Sequence, residues 1–248
     1  METVVIEACQ GCGACLLTCP THAIRPVGGK LHALGHLCNG CGECVEVCPV
    51  DAIRLVHPIE AESYRILRST VDTARLQPLS RNVAERIIHT TADPAWRDDL
   101  VLDERALSQG AQALAEGAPL IVDVNMVAAG ITRYPTICHI DNTPEPGLTR
   151  AATGFRRAAR QYPTGAVWVV GNAPTALYEL LRLSQTNAVT PALVIGLPVG
   201  FVGAAESKQA LRETTLPQLS NVSARGGAAV AAAAVNALLY GDPLKEDR

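Results

Sequence analysis

From about residue 58 onward the apolar positions alternate between two periods. Five short runs are rich in branched residues and bounded by Gly, Pro or Asn: Leu120 to Val124, Thr136 to Ile140, Ala166 to Val170, Ala192 to Ile195 and Gln218 to Val222. Strands buried on both faces of a parallel sheet have this look. Around them the spacing is helical: Ser63 to Arg68, Arg81 to His89 with Val83, Ile87 and Ile88 on one side, Asp103 to Glu116, Arg150 to Gln161, Ala176 to Leu183, Ala204 to Leu211, and an Ala-rich stretch ending at Leu239. The alternation predicts an α/β domain whose five-stranded, mainly parallel sheet carries helices on both faces. Open sheets of that kind bind ligands where strand ends and helix N-termini collect. Asn172, after the third run, and Arg225-Gly226-Gly227, after the fifth, stand at such turns.

The first 57 residues follow neither period. They hold eight of the nine cysteines in an internal repeat: Cys9, Cys12, Cys15, Cys19-Pro20 recurs 29 residues later as Cys38, Cys41, Cys44, Cys48-Pro49. Each half reads C-x2-C-x2-C-x3-C-P, the run of bacterial ferredoxins, in which the fourth cysteine serves the other cluster. One 4Fe-4S cluster is thus expected on Cys9, Cys12, Cys15 and Cys48, and a second on Cys38, Cys41, Cys44 and Cys19. Structural zinc is the alternative for paired C-x2-C, but it has no use for a third cysteine at this spacing followed by Cys-Pro. The apolar positions Ile24, Leu31 and Ile53 are too few to fold this segment without metal. It resembles a small two-cluster ferredoxin-like α+β domain over residues 1–57. A second domain is expected over 58–248, with the boundary near Val56-His57-Pro58-Ile59, where no flexible linker intervenes.

Composition narrows the function. With 48% hydrophobic but only 4% aromatic residues, the larger core must be aliphatic and Ala-rich. A net charge of −3 and no Lys/Arg run offer nucleic acid no basic field. The longest apolar segment, Ala228 to Leu239, is too short for a bilayer, and METVVIEACQGC lacks the pattern of a signal peptide. A cytoplasmic protein with reduced cysteines is expected. The remaining one, Cys138, reads as a small buried hydrophobe. No G-x-G-x-x-G follows the first strand, and no G-x-S-x-G or Walker motif occurs, so dinucleotide, hydrolase and NTPase readings lack support.

Five longer phrases, ERIIH, IVDVNMVAAGITR, GNAPTAL, GLPVGFVGAAESK and SARGGAAVAAAAVNALL, occur in the order found in the precorrin-8X methylmutase family, which the chain resembles from about Ile59 to Leu239. The resemblance implies a flavodoxin-like fold and a homodimer. It also implies an isomerase of corrin synthesis that moves a methyl group from ring carbon 11 to ring carbon 12 of precorrin-8X or its cobalt complex, without a cofactor for that step. His89 matches the family's catalytic histidine; by spacing alone it would be a cation at a helix C-terminus. Ser63, Thr132, Arg133, Arg150, Asn172, Arg225 and Gly226 fall on substrate-contacting segments, where arginine suits a carboxylate-rimmed tetrapyrrole. Bland readings stand beside these: Ser63 as a helix N-cap, Arg150 as a solvated charge, Gly226-Gly227 as tight packing. The clusters imply a redox partner or a neighbouring pathway enzyme. They also leave open a ferredoxin-coupled corrinoid reductase or a corrinoid carrier.

Overall fold

The computed structural model describes residues 3–6, 9–50, 52–56, 58–140 and 143–241. They divide into two compact units at Ser69 and Thr70. His57, at the expected boundary, and the residues after Gly241 lie outside the described residues.

The first unit is built on the cysteine repeat. Strand β1 (Thr3–Ile6) is followed by the helical turn α1 (Ala14–Thr18) and a hairpin of β2 (Ile24–Val27) and β3 (Lys30–Ala33); α2 (Glu43–Glu46) and β4 (Ile53–Val56) repeat the theme, and α3 (Pro58–Thr70) closes the unit. β4 returns antiparallel to β1, with Ile53 opposite Ile6. Gly28 and Gly29, both at positive φ, make the two-residue hairpin turn. Helices α1 and α2 each start from a left-handed glycine, Gly13 (φ 78°) and Gly42 (φ 81°), a conformation that a side chain would strain. The buried cluster is small: Val4, Cys15, Cys19, Ala23, Ile24, Cys44 and Ile53, with Leu31 partly buried against it.

The second unit opens with α4 (Pro78–Thr91), α5 (Trp96–Asp99), β5 (Leu100–Val101) and α6 (Glu104–Ala115). It continues with β6 (Leu120–Val122), α7 (Asn125–Ala129), β7 (Thr136–Ile137), α8 (Arg150–Gln161), β8 (Val167–Val170), α9 (Pro174–Gln185), β9 (Leu193–Gly196), α10 (Ala204–Arg212), β10 (Gln218–Asn221) and α11 (Ala228–Tyr240). The sheet order is β5-β10-β9-β8-β6-β7, parallel except for β5. The five parallel strands have the flavodoxin order, and the chain reverses direction across the sheet between β6 and β8.

Local chemistry explains the helix starts. Asp103 caps α6 by accepting from Arg105 N at 2.9 Å, and Thr149 caps α8 by accepting from Ala152 N at 3.3 Å. Gln77 gives α4 no side-chain cap; the Glu104 carboxylate instead accepts from Leu79 N, Ser80 N and Ser80 Oγ at 2.7–2.9 Å. On one face of the sheet Ile121, Trp168, Val170 and Val194 meet Phe155, Leu177, Leu180 and Leu211 of α8, α9 and α10. Phe155 stands edge-on to Trp168 with centroids 5.0 Å apart. On the other face α6 lies so close that a Cβ on Gly110 would stand 2.3 Å from Leu193 Cδ2.

Several expectations change in detail. The sheet has a sixth strand, β5, whose two residues are too few to show a period. Asn125 to Ala129, outside every helical stretch predicted from the sequence, form the short helix α7. β6 stops at Val122 because Asp123 turns its carboxylate onto the neighbouring loop, and β7 is only two residues long. α3 begins at Pro58, which places Ser63 inside the helix and removes its N-cap reading.

Candidate active site

Helix α4 lies beside α11, and arginines join the pair at both ends. His89 is half-buried in the last turn of α4, which closes on Ala92 in the left-handed region (φ 51°). His89 is the basic residue of that last turn, although it is not itself the capping residue. Arg86, three residues earlier, shares its side of the helix. The Arg86 guanidinium lies 5.6 Å from the centroid of the Tyr240 ring, and that of Arg133 lies 5.3 Å from the same ring. Thr132 Oγ1 is 3.4 Å from the Tyr240 hydroxyl. Next in the chain, the Tyr134 hydroxyl donates to Leu114 O or Ala118 O, at the N-terminal ends of the strands. Thr132 and Arg133 therefore leave the C-terminal sheet edge where the sequence pattern suggested that arginines would gather.

That edge is occupied by the chain's own groups. Asp123, 2% exposed at the switch between β6 and β8, accepts from Gly171 N, Asn172 N and Ala173 N at 2.8–3.0 Å. Burial pushes its carboxyl up, against the pull of those N–H groups. The N-terminus of α9, which could have held a ligand anion, is thus filled from within. The Asn172 side chain is exposed, and Thr149 and Thr175 hydroxyls, 2.8 Å apart, bring Arg150 and the start of α8 to the same corner.

After β9 and β10 the loops are locked together. Lys208 is fully buried and donates to Pro198 O (3.2 Å), Asn221 Oδ1 (2.8 Å) and Arg225 O (2.6 Å). Burial pulls its amine down to about 8. Asn221 donates to Asp99, which also accepts from Ser223 N and Oγ. Burial pushes Asp99 up, but the bonds from Ser223 and Asn221 and the charge of Arg225 outweigh it and hold the carboxyl below its usual value. Arg225 is paired with Asp93 and stacks 4.4 Å above the Trp96 ring. Gly226 lies against the β9 loop, where a Cβ would meet Leu197 O at 2.3 Å and Pro198 O at 2.4 Å. In this structure Arg225 and Gly226 hold the fold together. Asp123, Lys208, Arg86 and Tyr240 were not singled out by sequence; the available signal was a charged residue inside an otherwise apolar phrase.

In the first unit the buried cysteines Cys15 and Cys44 each have other cysteines nearby. Burial pushes Cys44 up to about 11, and Cys19, Cys38 and Cys41 are the cysteines close enough to add to that through their charge; Cys15, also raised by burial, feels Cys9 and Cys12. Cys19 thus stands with the second half of the repeat. Ala23 N and Ala52 N donate to the sulfurs of Cys19 and Cys48 at 3.2 and 3.1 Å, matched bonds in the two halves. Burial raises Cys19, but bonds from the Thr21 hydroxyl and nearby backbone N–H groups bring it below the ordinary thiol value, as a thiolate ligand requires. These donors fit an iron–sulfur centre, whose sulfurs accept just such bonds. Among the described residues no three His, Cys, Asp or Glu side chains close on a single ion. Cys138 is half-buried with its thiol raised by burial, consistent with an inert role.

Residues 58–241 match the family model described as precorrin-8X methylmutase. The chain belongs to this methylmutase family. Residues 8–53 match a 4Fe-4S dicluster domain. The cobalt-precorrin-8 methylmutase of Methanocaldococcus jannaschii is 40% identical over 163 residues, covering 63% of this chain and 77% of that protein. The precorrin-8X methylmutase of Pseudomonas aeruginosa is 38% identical over 193 residues, covering 73% and 93%. The solved precorrin-8X methylmutase of Thermus thermophilus superposes with a TM-score of 0.67 at 32% identity, covering 74% of this chain and 96% of that one. The chain is accordingly an isomerase of cobalamin synthesis that shifts a methyl group within one molecule. No helix among the described residues is long and apolar enough to cross a membrane.

Proposed function

We propose that the chain moves the methyl group from ring carbon 11 to ring carbon 12 of precorrin-8, with cobalt-precorrin-8 as the natural substrate, and that His89 is the acid. The unbroken family match from 58 to 241, with the Ile88-His89 pair inside it, carries this reading. A methyl shift along a conjugated ring needs no nucleophile; it needs the tautomer from which migration is easy. Protonation by a positioned imidazolium favours that tautomer. Ser63, Thr132, Arg133, Arg150 and Asn172 are the substrate contacts proposed alongside it, with Arg225 and Gly226 shaping the pocket wall.

His89→Ala should lower the single-turnover rate on the order of 10²- to 10⁴-fold while the corrin product still binds. An unchanged rate would remove His89 as the acid. Cobalt is assigned from the dicluster domain, since low-potential clusters suit an anaerobic route; faster turnover of the metal-free substrate would reverse it.

The first unit is proposed to hold two 4Fe-4S clusters, on Cys9, Cys12, Cys15 and Cys48 and on Cys38, Cys41, Cys44 and Cys19, with a separate redox protein or pathway enzyme as partner. When bound they supply one-electron transfer. The ferredoxin match also keeps a corrinoid reductase as the second reading: reductant-dependent change of the substrate's spectrum would favour it. A cytoplasmic homodimer completes the proposal, with Val199, Phe201 and Val202 exposed on the β9 loop as the apolar contact. A monomer mass in light scattering would oppose it.

A further inference from the structure

The two halves of the cysteine repeat differ at a position that touches a sulfur. Aligned 29 residues apart, Cys19-Pro20-Thr21-His22-Ala23 stands opposite Cys48-Pro49-Val50-Asp51-Ala52. Both halves share a backbone bond from the alanine: Ala23 N donates to Cys19 Sγ at 3.2 Å, and Ala52 N donates to Cys48 Sγ at 3.1 Å. The first half adds a side chain, for the Thr21 hydroxyl lies 3.7 Å from Cys19 Sγ, within the longer reach of a sulfur partner. At the matching position Val50 has no hydrogen to donate.

The local backbone brings these donors together. His22 N donates to Cys19 O at 3.1 Å, and His22 takes a left-handed conformation (φ 51°), which histidine adopts more readily than most side chains. The bend carries the chain back over the sulfur, so that the Thr21 hydroxyl and Ala23 N approach it at once. Thr18 shows the alternative: its hydroxyl is spent on Ala14 O at 3.0 Å, inside α1. Cys19 is buried and Thr21 half-buried, so water does not simply replace the hydroxyl. Cys9 also accepts a bond, from Gly11 N at 3.3 Å, but it is exposed and water supplies the same there.

A thiolate ligand carries no hydrogen, so with iron bound the Thr21 hydroxyl is the donor. One electron entering an iron–sulfur centre adds one negative charge to the metal and its thiolates. A hydrogen bond to a ligand sulfur favours the more negative form and raises the potential. Glu43 and Glu46 of α2, either side of Cys44, act the other way, but both are exposed and their field is screened.

We propose that Thr21 is a redox-tuning residue, whose hydroxyl raises the potential of the cluster that takes Cys19 and so makes the two clusters unequal. The inference rests on the proposed pair of 4Fe-4S clusters and adds where the first electron stays. That electron, given by an external one-electron donor, resides on the centre held by Cys38, Cys41, Cys44 and Cys19. A second goes to the centre held by Cys9, Cys12, Cys15 and Cys48.

The test is stepwise anaerobic reduction of the whole, iron-loaded chain with dithionite, the reduced centres being counted by electron paramagnetic resonance at each potential. Two one-electron steps are expected. Thr21→Val, which copies the other half of the repeat, should change the upper equilibrium about three- to tenfold, as loss of one hydrogen bond does, and leave the lower step in place. At 59 mV per tenfold this lowers the upper step by about 30 to 59 mV. Thr21→Ser keeps the hydroxyl and should keep the potential. A packing role alone would alter iron content or melting in Thr21→Val and leave both potentials where they were. Thr21→Ala gives a second reading should valine prevent loading, and loss of iron in both variants would overturn the tuning role. Two equal potentials in the wild type, steps that Thr21→Val leaves unmoved, or a shift confined to the lower step would also overturn it and leave the two-cluster reading intact. A single cluster's worth of iron in the wild-type chain would overturn that reading itself.

Discussion

Three of the seven residues in the first unit's buried cluster are cysteines, whereas the cluster on one sheet face of the second unit holds sixteen buried residues, all apolar and none a metal-ligand type. The four aliphatic members of that cluster cannot alone offset the entropy of ordering the roughly fifty residues of the cysteine repeat. Iron–thiolate bonds must supply the difference, because metal binding in such a domain is folding free energy. The second unit needs no such help. Two modules on one chain are thus stabilised by unrelated physics, and insults to one should leave the other standing.

The largest expected effect is removal of iron. Chelation, or Cys44→Ser, should bleach the chain and make residues 9–56 protease-sensitive, while residues 70–241 keep their cooperative melt. A second unit that unfolds along with the first would break the comparison, as would a colourless protein with an ordered first unit.

A smaller and opposite effect comes from Gly226→Ala. The new methyl would meet two backbone carbonyls at 2.3–2.4 Å, and neither can rotate away as a side chain could. Overpacking of this kind costs about 3 kcal/mol, so the melt of the second unit should fall by several degrees while iron content is unchanged. An unchanged melt would show that the loop after β9 can give way.

How far the sequence could lead differs between the units for the same reason. Cysteine ligands are a one-dimensional signal: spacing alone leads to the expectation that Cys19 serves the second half of the repeat, and Cys19 is near enough to Cys44 for its charge to be felt there. β6, β8 and β9 were legible because each is a continuous apolar run, and Pro174 does start α9. β5 and α7 were not, since two or five residues carry no period. The clearest miss is at the sheet edge. Sequence shows that α9 and α11 have open N-termini, but only three dimensions show that Asp123, about fifty residues before the loop whose N–H groups donate to it, fills the first, or that Lys208 ties the loop before the second. Arg133 and Arg225 look alike in sequence; Asp93 makes the difference, and it is far from both.

Lys208 gives the smallest predicted effect and the one most specific to the second unit. Its amine is held at about 8 by burial, against an unfolded value of about 10.4. Between those values the unfolded chain binds the proton and the folded chain does not, so stability should rise with pH across the window. Below pH 8 the charge is present in both states, and the folded state bears its full burial cost. The rise is at most about 3 kcal/mol for this shift. Lys208→Met should be less stable at pH 7, because Pro198 O, Asn221 Oδ1 and Arg225 O each lose a donor. Its urea midpoint should nevertheless lack the lysine's rise between pH 8 and 10, so the gap between variant and parent widens as pH increases. Lys30 and Lys245, the chain's other lysines, are common to both proteins and cancel in that difference. A gap that stays constant with pH would mean that Lys208 titrates normally and that its loop is open to water. Any parallel change in iron content would tie the lysine to the first unit and so contradict the independence of the two.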